Sequence, residues 1–196
     1  MTRCCPPAPP MLPRLLAVVL LASSFGCDDA CEPGHPCVCS DMTDCFLECS
    51  EPGCDLWVHH LVHGGGVCED GCHQLCNDVG ECSLSCGDAC TSETHHTTSS
   101  GTLCEARCEH ECHDMDRCGV IAGAESHVNC HNATTCEMEL GPGSTADCHS
   151  VESCRVTCAG TCQVRFSSVT GGPTVTCPAD APRAECSSTL VACGAC

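Results

Sequence analysis

The chain has 196 residues, of which 29 are cysteine, and its 26 acidic residues against seven basic ones give a formal net charge of −19. It contains three Phe, one Trp and no Tyr, which excludes a conventional aromatic core as the main source of stability. The acidity argues against binding nucleic acid, because a phosphate backbone requires a basic protein surface. Cysteine at this density is typical of a disulfide framework or of a metal store.

The first predicted element is a signal peptide over residues 1–26. An apolar run of about ten residues starts at Leu15, which is too short to span a bilayer but suits a secretion signal. Met11 is an alternative start, since a compact signal begins there. The run leads into the letters SFGC, which resemble a bacterial lipobox and predict a lipid anchor on Cys27. Ordinary cleavage after Ser24 is the alternative.

The second predicted element is an 18-residue cysteine repeat over residues 39–166, between an N-terminal cap (27–38) and a cysteine-rich C-terminal cap (167–196). The repeated spacing is C-x5-C-x3-C-x3-C, which places cysteines at positions 0, 6, 10 and 14 of each coil. The coils start at Cys39, Val58, Cys76, Thr94, Cys112, Cys130 and Cys148. All 20 cysteines between 39 and 165 occupy those positions, if one residue is inserted in the first coil.

The residues between the cysteines predict strands and turns. Positions 6 to 10 alternate polar and apolar, as in the CRVTC segment that ends at Cys158, and positions 11 to 13 are turn-like, as in the GPG segment that ends at Gly143. This pattern predicts an all-β fold, a disulfide-stapled parallel β-solenoid with about 18 residues per coil and little helix beyond the signal peptide. A string of independent disulfide knots is the alternative, which the unbroken register disfavours.

The missing cysteines predict how the others pair. Two coils lack positions 0 and 6 together, and two others lack positions 10 and 14 together, so we expect position 0 to bond with 6 and position 10 with 14 within one coil. The predicted disulfide cysteines are Cys39, Cys45, Cys49, Cys54, Cys68, Cys72, Cys76, Cys82, Cys86, Cys90, Cys104, Cys108, Cys112, Cys118, Cys130, Cys136, Cys148, Cys154, Cys158 and Cys162. A Cys31–Cys37 bridge and pairing among Cys177, Cys186, Cys193 and Cys196 bring the expected total to about 13 bridges.

Histidines at position 1 are the candidate metal ligands. They are His95, His113, His131 and His149, in four consecutive coils. Equal positions stack about 4.8 Å apart in a solenoid, so neutral imidazoles there could hold Zn or Cu. The alternative is a solvated polar ladder that was copied along with the repeat. Cysteine thiolates are a second possible metal store, although the strand-like alternation is out of place in a metal-wrapped chain. His110 takes an inward position that the repeat does not explain.

The repeat and the lipobox-like end together resemble the cysteine-rich repeat lipoproteins of Gram-negative bacteria. The resemblance implies an exported protein of the cell envelope or surface, held to a membrane by a lipid anchor. We find no phosphate-binding glycine loop, no G-x-S-x-G, no H-E-x-x-H and no dinucleotide fingerprint, so we expect no enzyme. We predict a structural or adhesive protein whose partner is a surface protein, a glycan or another copy of itself, with metal binding as the alternative function.

Overall fold

The computed structural model describes residues 35–196; the predicted signal peptide, the lipid anchor on Cys27 and the Cys31–Cys37 bridge lie outside them. Within this range the chain forms 14 strands and no helix. The strands are β1 (Cys37–Ser40), β2 (Asp44–Cys49), β3 (Asp55–Cys68), β4 (His73–Cys86), β5 (Thr91–His95), β6 (Ser99–Cys104), β7 (Glu109–Ala122), β8 (His127–Leu140), β9 (Ser144–Val151), β10 (Ser153–Cys158), β11 (Cys162–Val169), β12 (Pro173–Thr176), β13 (Arg183–Ser187) and β14 (Leu190–Cys193). Residues 35–196 contain no helix that is long and apolar enough to cross a membrane.

The strands wind into a parallel β-solenoid of about eight coils with about 18 residues each, which confirms the predicted fold. Each coil pairs in parallel with the next at the repeat distance. Thr94 lies beside Cys76 on one side and beside Cys112 on the other, and Cys130 lies beside Cys148. Because one face of every strand is buried, a slip of one residue would expose the core, and this fixes the register.

A corner at position 2 of every coil lets a single strand bend. The residue there has a positive φ in eight successive coils: Asp41, His60, Asp78, His96, Asp114, Asn132, Ser150 and Ser168. Asp, Asn and His tolerate this left-handed conformation better than other non-glycine residues, which accounts for six of the eight identities. The corner also puts two consecutive residues, at positions 1 and 2, on the outside of the coil.

The core is a sulfur-rich column with few aromatic groups. Along β8, the buried side chains are Val128, Cys130, Ala133, Cys136, Met138 and Leu140, while the residues between them face outwards or lie half-buried. Apolar burial is worth about 25 cal/mol per Å², and each coil buries only small or medium side chains. Stability must therefore come in large part from stacking and from covalent bonds.

Disulfides close the turns within single coils. The four-position pattern gives eight bridges in the repeat: Cys39–Cys45, Cys49–Cys54, Cys68–Cys72, Cys76–Cys82, Cys112–Cys118, Cys130–Cys136, Cys148–Cys154 and Cys158–Cys162. Each joins the two cysteines that the missing-cysteine argument predicts. Each of the eight bridges joins two cysteines of the same coil. Hydrogen bonds and packing therefore hold neighbouring coils together.

The predicted pairing is wrong for four cysteines. Cys86, Cys90, Cys104 and Cys108 are buried free thiols, not two disulfides. Cys86 and Cys104 are neighbours across β4 and β6, and the Cys86 thiol also hydrogen-bonds to those of Cys90 and Cys108. Thiol–thiol hydrogen bonds join Cys86, Cys104 and Cys108 to one another in place of covalent bonds, and Cys90 joins them through Cys86.

Where cysteines are absent, other groups fill the same space. Thr94 and Ser100 replace positions 0 and 6 of their coil, and the Thr94 hydroxyl donates to Ser100 Oγ at 3.3 Å where a bridge would otherwise lie. In the coil that starts at Val58, the valine side chain fills the space; a Cβ on Gly64 would come within 2.5 Å of it. Positions 0 and 6 therefore change together because their side chains contact each other.

The C-terminal segment covers the open end of the stack. Parallel pairing continues beyond residue 166 through β12, which lies beside β10. Strand β14 then pairs antiparallel with β11, and β13 pairs antiparallel with β14. Bridges Cys177–Cys193 and Cys186–Cys196 hold this segment together, which is pairing within the predicted set of four. Covering a strand edge in this way blocks pairing with other chains at that end.

Candidate histidine and carboxylate surface

The four position-1 histidines form one stack on the surface. Ring centroids lie 4.9 Å apart between His95 and His113, 5.0 Å between His113 and His131, and 4.6 Å between His131 and His149. The rings are parallel to within 5°. Imidazole lone pairs lie in the ring plane, so the nitrogens of adjacent parallel rings do not converge on one point. Metal binding by this stack stays a prediction.

Carboxylates flank the stack on both sides. His113 Nε2 lies 3.3 Å from Glu93 Oε1, and its Nδ1 lies 3.0 Å from Asp114 Oδ2. His131 Nε2 lies 3.0 Å from Glu111 Oε1, while its buried Nδ1 has no hydrogen-bond partner in the described chain. The side chain of His131 is only 18% exposed, so neighbouring side chains cover this nitrogen, which is free to act as a ligand.

The histidines of the stack differ in pKa, because their burial and their neighbouring charges differ. Burial disfavours the charged form of His113, but the hydrogen bonds that it donates to Asp114 and Glu93 outweigh burial and raise the pKa of this imidazole. Burial lowers the pKa of His95, and the carboxylate of Glu93 offsets this only in part. His113 therefore takes up a proton more readily than His95 does. The hydrogen bond from His113 also lowers the pKa of the exposed carboxyl of Asp114.

A shallow groove runs beside the stack along the position-2 corners. Its volume is about 770 Å³, and its lining includes His96, Asp114, Asn132, Ser150 and Ser168. Every one of these five residues has a positive φ. The left-handed corner selects polar side chains and so accounts for these five residues. The other two carboxylates of the lining, Asp116 and Glu152, lie outside the corner.

Adjacent histidines occupy positions 1 and 2 in two coils, and the sequence analysis did not single them out. In both pairs, His59–His60 and His95–His96, the two Nδ1 atoms are 3.2 Å apart. Their rings meet nearly edge to face, at 77° and 68°. The signal that could have found them is the dipeptide His-His, which occurs twice in the sequence with a spacing of two coils.

The inward His110 belongs to a buried polar cluster. Its Nδ1 lies 2.6 Å from Ser92 Oγ of the preceding coil, and its Nε2 lies 3.1 Å from Cys112 Sγ. Burial lowers the pKa of His110 to about 4, so the imidazole is neutral at physiological pH. The partner that explains this residue stands 18 positions earlier, one coil below.

Three clusters in residues 35–196 combine side chains whose ligand atoms are close enough to hold a metal. They are Cys68–Cys72 with Cys90, His110 with Cys112–Cys118, and Cys158–Cys162 with Cys193. Each contains an intact disulfide, whose sulfurs are not thiolate ligands. These clusters could hold a metal only after reduction of the bridge.

Comparison with known proteins adds no relative. No family model matches the chain, and no curated protein or solved structure is detectably similar to it. Functional inference therefore depends on the residues and their geometry.

Proposed function

We propose that this chain is an exported, non-enzymatic structural protein whose rigid faces serve adhesion or coat formation at the cell surface. The observation that carries the proposal is the uninterrupted parallel register with a covalent closure in most coils. A disulfide-rich solenoid of this kind is consistent with a rigid structural protein. Bridges that close turns remove freedom from the unfolded chain, so stiffness is obtained without a large core.

Export is supported by the chemistry of the cysteines. So many disulfides are typical of oxidising, extracellular compartments and are rare where thiols are kept reduced. The lipobox-like residues before Cys27 support attachment to a membrane through lipid, which would place the chain in the cell envelope. A net charge of −19 disfavours nucleic acid as a partner and keeps the faces soluble.

A flat apolar strip supports contact with another macromolecule. Outward residues at position 9 include Val67, Leu103 and Ile121, which are 38%, 50% and 50% exposed. Leu103 and Ile121 are direct neighbours on β6 and β7, and the adjacent outward column contains the paired glycines Gly101 and Gly119. Small residues beside exposed apolar ones leave a flat surface, and patches of this kind often mark interaction sites. A surface protein, a glycan and a second copy of this chain are the candidate partners.

The adhesive role is tested by attachment of cells that carry the full chain with its own signal. We expect the double substitution Leu103→Ser and Ile121→Ser to reduce attachment to a host surface or to other cells, because it removes the apolar strip. Its matched control is Glu139→Ser with Thr157→Ser, which changes position 9 in the two coils that follow Ile121. Equal attachment by wild type and both variants would contradict the proposal, as would recovery of the chain in the cytoplasm.

Metal binding is the second candidate function. Several Cys and His clusters in the described residues could hold a metal, but the sulfurs in them are mostly bridged. The observation that favours metal is the histidine surface, where unbridged imidazoles lie among carboxylates. Metal retained by the full chain after dialysis, with no free thiol accounting for it, would support this second function.

A further inference from the structure

We propose that the two adjacent histidine pairs, His59–His60 and His95–His96, are chelating sites for a divalent imidazole-binding metal such as Zn²⁺ or Cu²⁺. The inference does not depend on the structural role proposed above, and His95 is the one histidine that the two pairs share with the parallel stack.

The backbone brings the two rings of each pair to the same side. Consecutive residues of an extended strand point in opposite directions, so neighbouring histidines normally diverge. Here the second histidine of each pair is left-handed, with φ of 56° at His60 and 51° at His96. The corner therefore turns both side chains outwards and lets their rings converge.

The distance between the ring nitrogens fits one shared ion. With Zn–N bonds of about 2.0–2.1 Å, two ligands of a tetrahedral ion are about 3.3 Å apart, and two neighbouring ligands of a square-planar ion are about 2.9 Å apart. The observed Nδ1–Nδ1 separation is 3.2 Å in both pairs. The steep interplanar angles of 77° and 68° also allow both in-plane lone pairs to point at a common position.

Carboxylates face the outer ring nitrogens, as they do around many bound metals. Glu93 lies 3.7 Å from His95 Nε2, and Asp114 lies 4.0 Å from His96 Nε2. In the other pair, Asp78 lies 3.5 Å from His60 Nε2. The two Nδ1 atoms of each pair are within hydrogen-bond distance, so one donates a proton to the other in the metal-free protein. A bound cation would replace that shared proton and accept a lone pair from both nitrogens.

Side-chain oxygens lie near the second histidine of each pair. Asn77 Oδ1 is 3.3 Å and Asp78 Oδ1 is 3.9 Å from His96 Nδ1. At the other site, Asp41 Oδ1 is 3.8 Å from His60 Nδ1. His60 and His96 are 55% and 56% exposed, so an ion reaches both sites directly from solvent.

The preference of the corner for polar residues does not account for these pairs. It explains His at position 2, because that position is left-handed, but not a second His at position 1 of the same coil. The coils that start at Cys112, Cys130 and Cys148 also have His at position 1, followed by Asp114, Asn132 and Ser150. There His113 Nδ1 faces a carboxylate oxygen 3.0 Å away and not a second ring nitrogen.

The test is calorimetric titration of the full chain, freed of metal by chelation, with ZnCl₂ or CuCl₂ alone. We expect about two ions per chain for wild type, about one for His96→Asn or His60→Asn, and close to none for the double variant. Asparagine suits the left-handed corner, since Asn132 occupies it naturally with a φ of 52°. His131→Asn is the matched control and should retain both ions.

Ring-nitrogen NMR of wild type supplies a second readout that does not depend on the variants. Zn²⁺ should shift the Nδ1 resonances of His59, His60, His95 and His96 and leave those of His131 and His149 in place. Three results would overturn the proposal: no binding by wild type, two ions still bound by the double variant, or loss of metal in His131→Asn. Shifts confined to His113, His131 and His149 would likewise assign the metal to the stack.

Discussion

Two coils of the same solenoid solve the same packing problem with different chemistry. The coil 148–165 is closed twice, by Cys148–Cys154 and Cys158–Cys162, and the rest of its interior is valine. The coil 94–111 has no bridge at all. Its buried side chains include Thr94, Thr97, Ser100, Thr102 and His110, which are five of the nine buried polar side chains of residues 35–196.

The difference teaches that the fold depends on the register and not on any single interior chemistry. Coil 94–111 keeps the same strand pairing as its neighbours, although hydrogen bonds replace covalent ones inside it. Parallel pairing to stapled coils on both sides imposes its path. We therefore expect the middle of the solenoid to be its weakest and most acid-sensitive part.

Reduction of the disulfides should have the largest effect on stability, because the bridges are what distinguishes coil 148–165 from coil 94–111. Each bridge closes a short loop and contributes roughly 2 kcal/mol, so the eight in the repeat contribute on the order of 15 kcal/mol as an upper bound. That equals or exceeds the whole stability of a typical domain. We expect β-sheet circular dichroism at neutral pH to disappear on reduction. Its persistence would show that packing suffices.

Limited proteolysis of the oxidised protein should cut first within 94–111.

Acid should destabilise the fold through His110. Its pKa is about 4 in the fold and near 6.5 when unfolded, so between these values the unfolded state binds more protons. The free energy of unfolding therefore falls as the pH drops below about 6.5, by roughly 3 kcal/mol once the pH is under 4.

Denaturant unfolding at pH 7 and pH 5 measures this effect. His110→Gln is the informative variant, because Gln74 already occupies the equivalent buried position two coils earlier. A glutamine keeps a hydrogen-bonding group but does not titrate, so this variant should lose most of the pH dependence. An unchanged dependence would assign the acid sensitivity to the surface histidines.

Adding the missing bridge should make the weak coil resemble the strong one. Thr94→Cys with Ser100→Cys restores positions 0 and 6, whose Cα atoms are 6.2–6.6 Å apart in the five bridged coils. We expect a gain of about 2 kcal/mol in the free energy of unfolding. Thr94→Cys alone is the control, because a single cysteine cannot form this bridge, and it should show no gain. If the bridged variant is less stable than wild type, the hydrogen bond from the Ser100 hydroxyl to the Met115 sulfur must stabilise the fold more than the new bridge does.

Removing one unsatisfied hydroxyl should have the smallest effect. Thr102 is buried, and its Oγ1 has no hydrogen-bond partner within the described residues. Thr102→Val keeps the shape and removes the polar atom, so we expect a stabilisation of up to about 1 kcal/mol. Thr94→Val is the matched control; it breaks the hydrogen bond to Ser100 and should destabilise. Loss of stability in Thr102→Val would indicate a partner for that hydroxyl.

Much of this architecture can be predicted from the sequence, because each 18-residue repeat forms one coil of the solenoid. The cysteine positions alone predict the fold and eight of the repeat's disulfides, since each missing pair is a pair in contact. The same reasoning fails for Cys86, Cys90, Cys104 and Cys108, whose spacing is identical to that of bridged pairs. Cys68–Cys72 has the same spacing and lies beside Cys86 in the adjacent coil, yet it is bridged, so neither spacing nor stacking distinguishes the four free thiols.

The surface was less predictable than the interior. Stacking of the position-1 histidines follows from the repeat, but the ring orientations depend on Glu93, Glu111 and Asp114, which lie on neighbouring columns. The convergence of His95 and His96 depends on one left-handed residue. Periodicity does not report φ, although the run of Asp, His and Asn at position 2 was a signal for it.

Peptide mapping of the non-reduced protein tests the central claim most directly. If each bridge joins two cysteines of the same coil, the map will show bonds such as Cys112–Cys118, Cys130–Cys136 and Cys148–Cys154. The free thiols Cys86, Cys90, Cys104 and Cys108 will be alkylated only after unfolding. Bonds that join equal positions of neighbouring coils, such as Cys112 with Cys130, would contradict the account and make the disulfides the link between coils.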